Sequence, residues 1–116
     1  MNPYDQAHQL ANALRESEEY KEYARLKEIA YESDANRALL DEYRALQFRV
    51  QARMASGERA DDQDMQRLNQ LGALLQFNPE ASAYLLAEFR FQRMLSDIFK
   101  ILGSVAGIDL DMLTQG

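Results

Sequence analysis

The hydrophobic positions of this chain recur every three or four residues along most of its length, which is the period of amphipathic α-helices. The clearest run lies at about residues 35–55, with apolar side chains at spacings of four, three, four and four: Leu39, Tyr43, Leu46, Val50 and Met54. No segment shows the β-branched alternation that is typical of strands. The pattern predicts an all-α bundle of about five helices, with a long third helix and a long C-terminal helix.

Side chains that favour helix N-caps precede each of the five patterns, and they divide the chain into helices. They are Asn2, Ser17, Ser33-Asp34, Asp61 or Asp62, and Asn78. The last helix is expected to begin at Pro79 and to extend to about Leu102. We predict one domain over residues 1–116, in which about 104–116 form a loosely packed tail, with either a short docking turn or a frayed end at 108–113.

The last predicted helix carries apolar side chains on two faces. On a helical wheel one broad face holds Tyr84, Phe91, Met94, Leu95, Ile98, Phe99 and Leu102, whereas Leu85, Leu86 and Phe89 lie outside it. Two apolar faces need two sets of neighbours, so the pattern predicts a homodimer. The residues expected in the core or at the dimer interface are Tyr84, Leu85, Phe89, Phe91, Leu95, Ile98, Phe99 and Leu102.

Glu88 falls inside the apolar arc of this helix. A carboxylate in such a position has to be paired, hydrogen-bonded or protonated. Arg53 lies beside the apolar stripe of the third helix, and we expect it to form a structural ion pair with Glu88.

The charge of the chain limits its partners. A net charge of −6 disfavours general binding to nucleic acids or to anionic membranes. The third helix nevertheless holds four arginines, which leaves weak RNA binding as an alternative: Arg37, Arg44, Arg49 and Arg53. The absence of cysteine excludes disulfides and cysteine-ligated metal clusters in this sequence. No apolar run is long enough for a membrane span and no signal region is visible at the N-terminus, so we expect a cytoplasmic protein.

One pair of residues has the spacing of a metal site. Asp5 and His8 are three residues apart on the first predicted helix, as in carboxylate-bridged metal bundles. Together with Glu88 they would define a metal-binding protein or an enzyme. His8 is the only histidine, and a solvated first-turn aspartate is the simpler interpretation. The sequence therefore favours a protein that is not an enzyme and has no cofactor.

The chain resembles the YlbF/YmcA/YheA family of small helical bacterial proteins, of which the YheA-like branch is the most similar. The most specific block is Asn12-Ala13-Leu14-Arg15-Glu16-Ser17-Glu18-Glu19. Further matching segments lie at residues 4–7, 43–47, 54–58 and 86–88. The resemblance implies a helical homodimer.

The resemblance also implies a regulator or adaptor that acts through protein–protein contacts. Its implied partners are other family members or an RNA-processing complex, with a link to competence, sporulation and biofilm formation. Cysteine-containing relatives are associated with iron–sulfur clusters, a role that cannot be carried over to this cysteine-free chain.

Overall fold

The computed structural model describes residues 2–107, which form five α-helices. They are α1 (Pro3–Glu16), α2 (Glu18–Tyr31), α3 (Asp34–Ala55), α4 (Asp62–Gln76) and α5 (Pro79–Ala106). No strand occurs within these residues, so the all-α prediction is confirmed. None of these helices combines the length and the apolarity that a membrane crossing requires.

Each helix begins with a side-chain cap at a position that the sequence indicated. Asn2, Ser17, Ser33, Asp61 and Asn78 each accept a hydrogen bond from a backbone N–H in the first turn of the helix that follows. These bonds satisfy amide groups that have no partner within the helix. The helix boundaries are therefore largely encoded by local sequence.

The C-terminal end of α5 differs from the expectation. The helix continues through a buried Gly103 to Ala106, four residues beyond Leu102. Gly107 then ends it in the left-handed conformation, with φ of 69°, which glycine adopts without a steric penalty. The docking turn expected at 108–113 lies outside the described residues.

The core lies where α2, α3, α4 and α5 meet. One buried cluster there consists of Ala30, Leu40, Leu75, Ala81 and Tyr84. Aromatic rings line the contact between α2 and α5, with Tyr23 stacked on Tyr84 and on Phe91 at centroid distances of 5.9 and 5.3 Å. These aromatic side chains therefore take part in core packing.

The apolar stripe of α3 differs at two positions from the one that the spacing predicted. Leu46 and Val50 are buried as expected, but Leu40 is also buried and Met54 remains 62% exposed. The exposure of Met54 shows that the core covers only part of α3.

The molecule is a flat plate. Its extents are 51 × 37 × 16 Å, and its radius of gyration of 16.8 Å exceeds the roughly 13 Å expected of a compact chain of this length. A thickness of 16 Å leaves room for about two layers of helices. Much apolar surface therefore stays outside the core.

Candidate protein-contact cleft

The long helices α3 and α5 run parallel and are joined at their N-terminal ends. The Asn36 amide donates a hydrogen bond to Glu80 at 3.3 Å, and the Asn78 amide donates one to Asn36 at 2.6 Å. Asn36 is buried, and Asn78 also caps α5. These bonds fix the beginnings of the two helices against each other.

A second polar cluster joins the same helices further along. Arg44 donates hydrogen bonds to Glu88 at 2.7 Å and to the Tyr84 hydroxyl at 3.0 Å, and that hydroxyl donates to Glu88 at 2.9 Å. Both the Asn36–Glu80 and the Arg44–Glu88 contacts join residues 44 apart in sequence. The constant separation defines a parallel register between α3 and α5.

The pKa values of this cluster follow from burial and pairing. Burial raises the pKa of Tyr84, and its hydrogen bond to Glu88 raises it further, so the phenol stays a neutral donor. Burial by itself would lower the pKa of Arg44, but the hydrogen bond and negative charge of Glu88 outweigh it and raise the value. Arg44 therefore remains a cation.

The prediction that Arg53 pairs with Glu88 is wrong. Arg44 occupies that place, while Arg53 forms a salt bridge with Glu58 at 3.3 Å. Arg53 is nine residues further along α3, so in the parallel register it lies well past Glu88. The expectation that Glu88 needs a partner is met, because its side chain is only 14% exposed and its Oε2 accepts hydrogen bonds from Arg44 and Tyr84.

Beyond the Arg44–Tyr84–Glu88 cluster, a cleft of about 930 Å³ separates α3 from α5. Phe48 and Gln51 lie on the α3 wall, and Phe89, Arg93 and Asp97 lie on the α5 wall. The two phenylalanines are 71% and 61% exposed, respectively. Exposed aromatic rings among polar groups on facing walls are typical of surfaces that bind proteins.

Some of the residues predicted for the core or the dimer interface are buried in the structure, and others are exposed. Tyr84 is buried, whereas Phe89 and Leu102 are exposed. The remaining members are partly buried: Leu85, Phe91, Leu95, Ile98 and Phe99. Sequence reasoning missed Phe48, although an aromatic residue outside the apolar stripe of α3 could have indicated it.

The proposed metal site is not assembled in the described chain. Asp5 and His8 lie exposed on α1, whereas Glu88 is held on α5 by Arg44 and Tyr84. Within residues 2–107 no three histidine, aspartate or glutamate side chains are placed to hold a metal ion. Within one copy of the chain, Asp5, His8 and Glu88 therefore do not form one site.

The arginines of α3 are all engaged within the protein. Arg44 binds Glu88, Arg49 binds Asp64 at 2.9 Å, and Arg53 binds Glu58. Arg37 donates to the Tyr31 carbonyl at 2.9 Å. These contacts favour the interpretation of the arginines as ion-paired helix faces over an RNA-binding strip.

Comparison with known proteins identifies the fold family. Residues 4–105 match the model of a family described as control of competence regulator ComK, YlbF/YmcA. The chain belongs to the YlbF/YmcA family. This confirms the resemblance seen in the sequence, and the match spans α1 to α5 almost completely.

Several relatives in this family carry the name UPF0342 protein. The chain is 33% identical to one from Desulfitobacterium hafniense, over all of this chain and 91% of the relative. It is also 33% identical to one from Clostridium tetani, over 95% of each protein. A Staphylococcus aureus relative is 30% identical over 88% of this chain and 90% of its own length.

Proposed function

We propose that this chain is a non-enzymatic cytoplasmic regulator that works as a homodimeric adaptor. The observation that carries the proposal is the α3–α5 cleft, whose walls expose Phe48 and Phe89 to solvent. The family description, control of a competence regulator, supports a regulatory role. In this account the cleft is a protein-contact surface.

The regulated process follows from the family resemblance. We propose that the homodimer recruits other YlbF/YmcA family members or RNA-processing proteins and thereby affects developmental control. Because the chain has no cysteine, its contribution does not involve a cysteine-held iron–sulfur cluster.

The test is a tagged pull-down from the native host with two matched variants. Phe48→Glu places a charge on the cleft wall, and Phe77→Glu places the same charge on a residue outside it that is also highly exposed. Both substitutions replace surface residues, so we expect both variants to keep their helical content.

We expect the wild type and Phe77→Glu to recover a YlbF/YmcA relative or an RNA-processing nuclease, and Phe48→Glu to lose it. Equal recovery with all three proteins would contradict a role for the cleft. Recovery of no such protein by the wild type would contradict the adaptor function itself.

A further inference from the structure

The first helix, α1, is the least firmly packed helix of the described chain. It has no buried residue, whereas each of the other four helices has at least one. Its half-buried apolar side chains are Leu10, Ala11 and Leu14, and its main contacts are with α2. Segments with few buried apolar contacts open at a lower free-energy cost than the core does. α1 is therefore the helix that is displaced most easily.

A single residue separates α1 from α2. α1 ends at Glu16, α2 begins at Glu18, and Ser17 between them is extended, with φ of −69° and ψ of 149°. Neither glycine nor proline occurs between residues 4 and 31, so no residue there forces the helix to break. A change of the Ser17 ψ angle to the helical value would join α1 and α2 into one helix.

The hydrogen bonds of Ser17 hold the bend between the two helices. Its hydroxyl donates to the Leu14 carbonyl at 2.6 Å and accepts from the Tyr20 amide at 3.2 Å. The second of these bonds caps the start of α2. A continuous helix would lose the cap but would add backbone hydrogen bonds, because the first amides of α2 have no intrahelical partner in the bent form. The two sets of bonds contribute free energies of the same order.

The apolar positions of α1 show what the bend does. They form a stripe at spacings of three, four and three: Tyr4, Ala7, Ala11 and Leu14. At 3.6 residues per turn, a continuous helix would put this stripe on the side opposite to the core-facing side of α2. In the bent form Ala11 and Leu14 are half-buried. Straightening the joint at Ser17 would turn the stripe away from the core and into solvent.

We propose that Ser17 is a hinge at which α1 moves between the bent position and a continuous helix that extends from Pro3 to Tyr31. The bent form partly covers the apolar stripe of α1, and the straight form exposes it. α1 is thus a strap that controls the exposure of its own apolar side. The movement does not involve the α3–α5 cleft, so it can be tested independently of the proposed function.

Two substitutions at Ser17 shift the two forms in opposite directions. Ser17→Ala removes the cap and places the best helix former at the joint, which favours the straight form. Ser17→Gly keeps most of the capping preference but disfavours a helix interior, which favours the bent form. Each of the two effects is about fivefold, so we expect the ratio of straight to bent chains to be about thirtyfold higher in Ser17→Ala than in Ser17→Gly.

Double electron–electron resonance between two spin labels measures this ratio. The chain has no cysteine, so the labels can be attached through Gln9→Cys and Glu28→Cys, two exposed positions. In one continuous helix these positions are about 28 Å apart, and a bend between them shortens the distance. Dilution with unlabelled chains restricts the signal to pairs within one chain. We expect the population at about 28 Å to be larger in Ser17→Ala than in the wild type, and smaller in Ser17→Gly.

Ser33→Ala is the matched control. Ser33 caps α3 by accepting a hydrogen bond of the same length, 3.2 Å, from the Asn36 amide, but α3 is held by buried side chains. This substitution should leave the distance distribution unchanged.

Amide hydrogen exchange separates straightening of the joint from unravelling of α1. In a straight Ser17→Ala chain the Glu18 and Glu19 amides gain helical partners and exchange more slowly, whereas an unravelled α1 exchanges faster along its whole length. One distance shared by the wild type, Ser17→Ala and Ser17→Gly would overturn the hinge. Unravelling of α1 in Ser17→Ala would overturn it as well.

Discussion

At the scale of single residues, the Arg44–Tyr84–Glu88 cluster shows how a partly buried charge is accommodated. Glu88 is removed from most of its water, so its negative charge depends on the guanidinium of Arg44 and on the Tyr84 hydroxyl. Arg53 does not stabilise a buried charge in this way, because the side chain of its partner Glu58 is 62% exposed.

This difference predicts different effects for two equivalent substitutions. Arg44→Leu leaves Glu88 with one neutral donor and should lower the free energy of unfolding by about 2 kcal/mol, the range for hydrogen bonds to charged groups. Arg53→Leu should lower it by less than about 1 kcal/mol, as expected for an exposed pair. Urea denaturation of both variants measures the contrast, and equal losses would refute the assignment of Arg44.

The Tyr84 phenol gives the cluster a pH dependence. Its folded-state pKa is raised above the ordinary value of 10.0, by burial and then by Glu88. Because the folded state holds this proton more tightly, its contribution to stability is complete below pH 10 and is lost as the pH rises above it.

We therefore expect Tyr84→Phe to flatten the alkaline part of the stability curve. At neutral pH the variant should lose about 1 kcal/mol, since one hydroxyl disappears from the cluster. Unfolding free energies between pH 8 and 11, compared with those of the wild type, provide the measurement. If the unfolding free energy of the variant falls above pH 10 as steeply as that of the wild type, Tyr84 is not the group that causes the alkaline loss of stability.

At the scale of helices, the sequence predicts boundaries well and relative placement poorly. The N-caps could be read directly, because a cap depends on neighbours within three residues. The partner of Glu88 could not, because it depends on the parallel register of α3 and α5, which periodicity does not encode. Leu40 was likewise missed and Met54 wrongly placed inward, since the face that α3 buries depends on where α2, α4 and α5 lie.

Asn78 fixes both the start of α5 and its position against α3, because it caps α5 and also binds Asn36 on α3. Replacing it with alanine removes the cap and leaves the buried Asn36 amide without one of its partners. We expect Asn78→Ala to lower the free energy of unfolding by about 2 to 3 kcal/mol, combining both losses.

Asn2→Ala is the matched control, since Asn2 caps the exposed start of α1 through one hydrogen bond. It should cost no more than about 1 kcal/mol. Comparable losses in the two variants, measured by chemical denaturation, would indicate that the Asn36–Asn78 contact adds nothing beyond the cap.

At the scale of the whole molecule, the flat shape explains why the cleft is open, because a thin layer of helices cannot cover every side of α5. A plate of 16 Å thickness buries one face of α5 and leaves Phe89, Ile101 and Val105 exposed. The two apolar faces of this helix were visible in the sequence. The cleft was not, because it depends on how α3 and α5 lie relative to each other.

The central claim, that the cleft between α3 and α5 is a protein-contact surface, is tested most directly by the tagged pull-down from the native host. The wild type and Phe77→Glu should recover a YlbF/YmcA relative or an RNA-processing nuclease, and Phe48→Glu should lose it while keeping its helical content. Equal recovery with all three proteins would contradict the claim.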